Sequence, residues 1–368
     1  MKVLEVRNAH EGLPKGLRLL DYIGIERDSR NGPVLVAPCP VTTVFEQPCE
    51  RVVFWPARDG NPFFHLYESL WMLAGRNDVA PLVRYVKNAV DYSDDGKILH
   101  GAYGHRWRNW FADWSKSDGQ GPNAKLDQLE LIAIELKENP ESRRCVLQMW
   151  DGQYDLGRSG KDLPCNTIAT FQRGFDGKLN LVVFCRSNDI VWGLFGANCV
   201  QFSMLLEYMA LWIGCPVGTY SQVSVNFHAY DNEVWKQVEL IRPDKANFVD
   251  NPYIDGRVHH VPMSGSIEYM DQQIKGLLNI ADGGDSDVWA ADPLWKVGDW
   301  SHMVYLVLVA HHIYKTKPKP EGYIDALKLL SVGDEKADWI VASREWLQRR
   351  YDLWKVKKGL LDGGLSHP

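Results

Sequence analysis

Apolar residues recur at helical spacing through residues 61–75 (NPFFHLYESLWMLAG), and a glycine closes the run, which predicts an amphipathic helix with a glycine stop. Residues 125–137 (KLDQLELIAIELK) repeat the pattern and end at ENP, where proline opposes further helix. Residues 200–213 (VQFSMLLEYMALWI) are apolar on nearly every face, so they are expected to form a helix buried on all sides. Elsewhere the pattern is that of strands. Residues 144–150 (RCVLQMW), 167–172 and 179–186 (LNLVVFCR) read so, the last two joined through Phe175, Asp176 and Gly177, whose aspartate–glycine pair signals a hairpin turn. Residues 217–225 read as a further strand ahead of NFHAYDNE. From about residue 239 the chain is first rich in Pro, Gly and Asp and then helical. With no repeat and no clean linker, the pattern predicts a mixed α+β fold with a helical C-terminal elaboration packed on it, residues 1–238 and 239–368 respectively.

Composition changes this picture little. The chain has 368 residues, 45% hydrophobic and 24% charged, enough apolar material for one large globular domain or two modest ones. A net charge of −6 argues against a broad nucleic-acid footprint but leaves room for a local basic pocket. The opening MKVLEVRNAHEGLPKG lacks the apolar core of a signal peptide. Residues 303–310 (MVYLVLVA), read as the most apolar run, are too short to span a bilayer, so neither nucleic acid nor a membrane is expected as a partner. Seven cysteines, at 39, 49, 145, 165, 185, 199 and 215, show no CxxC pairing and read as reduced thiols of a cytoplasmic protein. His311–His312 has no Cys or acid at ligand spacing, and no metal is expected.

Candidate chemistry gathers in two short stretches, PCN (164–166) and CRSND (185–189). A free cysteine is ordinarily a small buried hydrophobe. Pro164 before Cys165 and polar residues after it suggest instead a strand end near the surface. The turn at 175–177 folds one strand back over the other, so Arg186 can stand beside Cys165 and favour its thiolate. Arg143 and Arg144 alone read as a solvated pair; with Arg186 and Ser187 they supply the forked cations and hydroxyl that suit a phosphate monoester. Glu68, on an otherwise apolar helix, faces either solvent or an apolar wall, where its pKa rises and it can move protons near neutrality. His228 and Tyr230 alternate on an extended segment and so share a face, from which both can hydrogen-bond a sugar hydroxyl. Asn198 offers a donor and an acceptor in one plane, as reading an amide-like base edge requires.

Taken in order, YESLWMLAG (67–75), GAYGHRWR (101–108), DQLELIAIELKENPESRRCVLQMW (127–150), LPCNT (163–167), RSND (186–189), GLFGAN (193–198) and NFHAY (226–230) resemble the thymidylate synthase family, which includes the thymidylate synthases and the pyrimidine-nucleotide hydroxymethylases. The resemblance runs from about residue 60 to 236, with ESRRCVLQMW, PC and RSND its most specific parts. It implies a thymidylate-synthase-like catalytic core and one-carbon transfer from 5,10-methylenetetrahydrofolate, as co-substrate, to C5 of a pyrimidine deoxynucleotide monophosphate. It also implies that Cys165 adds to C6 of the base, since C5 is not nucleophilic until the ring becomes enolate-like. Arg186, Ser187 and, from the other subunit of a homodimer, Arg143 and Arg144 would hold the 5′-phosphate, joined by Arg27 or Arg30. By the same resemblance Asp189 holds the pterin ring, Tyr103 lies near the C5 proton, Glu68 organises water and protons at O4, and His228 and Tyr230 bond the 3′-hydroxyl.

Departures from the family pattern bear on the product. Asn166 follows the catalytic cysteine where synthases usually carry histidine. The tryptophan expected upstream of Tyr103 falls near Ala89–Val90, with Tyr92 near a second aromatic position, and KKGLLDGGLSHP (357–368) shows no match to the family's closing C-terminal segment. A site that admits water converts an exocyclic methylene at C5 into hydroxymethyl; a site that delivers hydride from tetrahydrofolate makes a methyl group. Hydroxymethylation is therefore favoured over methylation, with thymidylate synthase as the alternative and an inactive, ligand-binding family member as a third reading. GLFGAN is one residue longer than usual, so the base-reading position is Ala197 by strict count and Asn198 with an insertion. Asparagine suits the N3–H and O4 edge of uracil, which favours dUMP over dCMP. A bacterial or phage-infected cytoplasm fits the reduced thiols.

Overall fold

The computed structural model describes residues 1–29, 32–113, 124–230, 249–284, 296 and 298–360. Two sheets organise it. The larger has six strands in the order β1 (Lys2–Val6), β4 (Val41–Phe45), β9 (Val217–Ser224), β7 (Leu179–Cys185), β6 (Asn166–Arg173) and β5 (Val146–Gln148). It is mixed: β1 runs parallel to β4, β7 runs parallel to β9, and the other pairs are antiparallel. The smaller sheet has the order β2 (Ile25–Ser29), β3 (Gly32–Val36), β10 (Phe227–Tyr230) and β8 (Asn188–Asp189).

The helices follow from apolar runs with definable ends. Helix α1 (Ala9–Ile23) starts where Asn8 accepts a hydrogen bond from Glu11 N. Helix α2 (Pro62–Leu73) starts where Asn61 accepts one from Phe64 N, with proline at its first position, and the chain leaves it through Gly75 at φ +71°. Helix α3 (Gln128–Glu138) is capped by Asp127. Helix α4 (Cys199–Ile213) is buried from Cys199 through Ala210 and stops at Gly214, φ +81°. The later chain forms α5 (Ile267–Ala281), α6 (Trp300–Thr316), α7 (Glu321–Leu330) and α8 (Asp338–Lys357). Its apolar faces join one continuous core with α2 and α4, in which Leu66, Leu205, Leu277, Val307, Ile340 and Leu347 are all buried.

Three observations refine the expected elements. The strand expected over 144–150 shrinks to three residues because Met149 N and Trp150 N both donate to the Thr167 carbonyl, a bulge that ends the ladder. Residues Ile190–Asn198 form a π-helical segment running into α4, with a kink at Phe195. Together they make a 24-residue helix, Ile190–Ile213, long and apolar enough to cross a membrane, yet 83% of its most apolar window is buried inside this fold. That run is longer than 303–310, which lies within α6. The first sixty residues, whose pattern announced nothing, supply β1 to β4 and α1.

Candidate active site

Cys165 immediately precedes β6, and the β6–β7 hairpin sets its surroundings. Asn166 pairs with Cys185, so the next residue of β7's strand line, Arg186, falls beside Cys165, and Arg186 N donates to the Cys165 carbonyl at 2.9 Å. The Arg186 side chain crosses the same loop: Nε donates to the Pro164 carbonyl at 3.0 Å and Nη2 to Leu163 O at 3.3 Å, 5.7 Å above the Trp150 ring. The Cys165 thiol is half-buried. Burial pushes its pKa up, and the Arg186 charge offsets this only in part. Within one chain the thiolate is therefore less favoured than spacing implied, because burial outweighs the Arg186 charge.

Tyr103 is fixed against Cys165 by two glycines. A Cβ at Gly104 would overlap the Met72 carbonyl of α2, and one at Gly101 would stand 3.0 Å from Pro164 N. Gly101 N donates to Asp162 at 2.8 Å. Arg106 locks the segment from behind: it grips buried Asp155 with two nitrogens, at 2.8 and 2.9 Å, and also donates to the His100 and Met149 carbonyls. As a result the Tyr103 hydroxyl accepts from Asn166 N at 3.2 Å, and burial holds its pKa well above the usual phenol range.

Asn166, expected among the catalytic groups, is fully buried. Its Oδ1 accepts from Gln222 Nε2 at 2.8 Å, and Gln222 in turn accepts from the Tyr220 hydroxyl. It is out of reach of solvent. Glu68 projects from α2 to α4, where Gln201 Nε2 donates to it at 2.8 Å; burial lifts its pKa to about 7 despite that bond. The apolar-wall reading of this acid holds.

The smaller sheet lines up the remaining candidates. Asp189 pairs with His228 across β8 and β10, and His228 pairs with Val36 of β3, which pairs with Ile25 of β2. One pleat along, Tyr230, Val34 and Arg27 are opposite one another. Directly opposed residues share a face, so His228, Tyr230, Asp189 and Arg27 lie on one surface. The His228 and Tyr230 rings meet edge to face at 6.0 Å. Asp189 Oδ1 caps the π-helical segment, accepting from Val191 N and Trp192 N; burial raises its pKa against those bonds. Ser187, half-buried, lies between Arg186 and this surface. Asn198 is buried and donates to Asn188 Oδ1 at 3.2 Å, and Asn188 donates to Ser224 Oγ. A π turn accommodates one more residue than an α turn, which accounts for how the longer GLFGAN stretch still delivers Asn198 inward.

Arg143 and Arg144 are not brought to Cys165 within the chain. They precede β5, whose Val146 pairs with Thr170, so they lie beyond roughly 13 Å of strand from Asn166. Both are exposed, and Arg144 pairs with Glu135 of α3 at 2.8 Å. Arg30 and residues 361–368 lie outside the described residues. At the place expected for an indole, Ala89 is buried, while Val90 and Tyr92 are exposed.

Sequence reasoning passed over several side chains here. Gln201 was signalled only as a lone amide in an apolar helix. Arg58, buried, donates to the Val191 carbonyl at 2.8 Å and lies 4.3 Å over the half-exposed Trp192 ring. A cleft opens between Arg58, Phe195, Gly196, Trp339 and Arg349, so α8 forms one wall. Behind it Glu207 of α4 accepts from Arg51 at 2.5 Å and from His260 at 2.8 Å. Cys49 completes a group whose donor atoms lie within 4.8 Å of one another, but the Arg51 cation on the same carboxylate makes it an ion network. His311 is buried and stacked on Tyr85, 4.2 Å between centroids.

Residues 63–250 match the family model for thymidylate synthase. The chain belongs to the thymidylate synthase family. Among its relatives, a deoxyuridylate hydroxymethyltransferase of Pseudomonas phage M6 is 42% identical over the full length of both chains. A protein of the same name from Bacillus phage SP01 is 42% identical over 84% of this chain and 80% of its own. A putative thymidylate synthase of Methanosarcina barkeri is 34% identical, covering 44% of this chain and 65% of its own. Family membership and the α+β fold agree with the expectations drawn from the sequence motifs.

Proposed function

We propose that this chain is a deoxyuridylate hydroxymethylase, a transferase placing a hydroxymethyl group on C5 of dUMP. The observation that carries the reading is the gathering of Cys165, Tyr103 and Arg186 around one loop, in a chain matched along its whole length by a phage enzyme named for that substrate.

In this reading Cys165 adds to C6 of the uracil and makes C5 nucleophilic. Tyr103, held at the Cys165–Asn166 segment, serves the C5 proton in this reading. Asn198, oriented by Asn188, reads the N3–H and O4 edge, which favours dUMP over dCMP. His228 and Tyr230 hold the sugar, and Arg186, Ser187 and Arg27 take the phosphate. Arg143 and Arg144 complete that site from a second copy in a homodimer; their exposure and distance from Cys165 in one chain support this.

Methylenetetrahydrofolate supplies the one-carbon unit when bound. The residues fit it: Asp189 keeps Oδ2 free of bonds among the described residues for pterin N–H groups, and Trp192 presents a half-exposed indole. The lack of an indole at Ala89–Val90 supports water over hydride as the final donor.

The test is product analysis with dUMP and methylenetetrahydrofolate. The expected nucleotide is one oxygen heavier than the methylated one, with no dihydrofolate absorbance; stoichiometric dihydrofolate would assign a thymidylate synthase instead. Cys165→Ser is expected to abolish tritium release from C5-labelled dUMP, and undiminished release would remove the covalent mechanism.

A further inference from the structure

Gln201 has no assigned part in this chemistry, yet its position is unusual. It is 5% exposed in a helix whose neighbours are apolar, and its Oε1 is buried without a hydrogen-bond partner. A buried, unpaired amide oxygen costs about 1–3 kcal/mol, so a fold does not hold one idly. The orientation is set by chemistry: a carboxylate accepts, so the amide must turn its NH₂ to Glu68 and its oxygen away. Asn198 lies three residues earlier on the same helical path and is therefore beside Gln201 on one face. Gln201 thus sits between the residue that reads the base and the acid that moves protons. Glu68 keeps Oε1 free of bonds among the described residues.

We infer that Gln201 is a positioning residue for the water that completes hydroxymethylation: its Oε1 accepts one water hydrogen while Glu68 accepts the other. The inference rests on the hydroxymethylase reading above. In the step, the water oxygen bonds to the exocyclic methylene carbon, and its proton passes to Glu68. The electron pair of the methylene double bond moves into the ring as the C4 enolate. As that enolate collapses, C5=C6 re-forms and Cys165 leaves C6 as thiolate. Nothing is oxidised or reduced. The Glu68 pKa of about 7 suits a base of this kind near neutrality.

The test is a partition measured within turnovers. With 2-mercaptoethanol at fixed concentration, the same methylene is captured either by water, giving the hydroxymethyl nucleotide, or by thiol, giving the thioether. Gln201→Met keeps the side-chain length but removes the acceptor. The ratio of hydroxymethyl to thioether product is expected to fall about fivefold or more, the scale of one lost hydrogen bond. Because both products come from the same folded molecules, a lower yield of native protein does not move the ratio. Gln201→Asn, which withdraws the oxygen by one methylene, is a second variant expected to move it in the same direction. A hydroxymethyl product from the parent protein with a smaller change in the variants overturns this inference alone. A methylated product from the parent overturns the proposed function and this inference with it.

Discussion

At Glu68, burial holds a proton on the carboxyl group. Its pKa of about 7 lies above the ordinary 4.5 of a glutamate, so the folded chain holds a proton that the unfolded chain has released. This group therefore favours the fold below about 4.5, and that contribution is lost as pH rises through 7. Glu68→Gln is expected to gain thermal stability relative to the parent at pH 8 more than at pH 5, read from paired melting curves. The rate of hydroxymethylation is expected to have a rising limb near pH 7 that Glu68→Gln abolishes; a limb near 4.5 would mean the acid is solvated. Gly104 poses the opposite constraint, since its role is to have no side chain. Gly104→Ala is expected to cost about 1–3 kcal/mol in urea unfolding and to displace Tyr103. The contact of Arg186 with the Cys165 loop was legible, because the turn at 175–177 fixes which residues of the hairpin face each other. The burial of Asn166 was not legible, because a sequence does not say which side of a strand end holds solvent.

At the level of elements, the periodic runs at 61–75, 125–137 and 200–213 were legible, since burial and helix spacing agree in each. The π-helical segment was not, because a π turn and an inserted residue leave the same trace in a sequence. Helix α4 is joined to the later chain through Glu207. Burial alone would raise this acid, but the charges of Arg51 and His260 bring it down to about 2. His260, which burial alone would lower, is raised to about 10 by the Glu207 charge. Stability from Glu207 is present above its ordinary 4.5 and is lost as pH falls through 2; that from His260 is present below its ordinary 6.5 and is lost as pH rises through 10. The joint is thus strongest between these limits. Glu207→Gln leaves the buried Arg51 cation without its partner and is expected to cost about 3–5 kcal/mol by chemical denaturation near pH 6.

On the scale of the whole molecule, the phosphate site is incomplete in one chain. Arg143 and Arg144 were selected with Cys165 by motif, yet the strand between them sets them apart, and the proposed function draws them from a second copy. Mixing inactive Cys165→Ser protein with inactive Arg143→Ala/Arg144→Ala protein, followed by subunit exchange, is expected to restore activity, because one site of each mixed dimer then has every group. Failure to recover activity despite exchange would place the phosphate contacts within one chain. The helical character of the later chain was legible from its composition; that it forms a wall of the cleft was not, since long-range packing leaves no local pattern.

One helical run, Ile190 to Ile213, begins at the acid proposed for the pterin, passes the residue proposed to read the base and Gln201, and is pinned near its far end by Arg51 and His260. The later chain and the proposed substrate groups therefore meet on one kinked helical run, so Glu207→Gln is expected to raise the KM for dUMP as well as to lower stability.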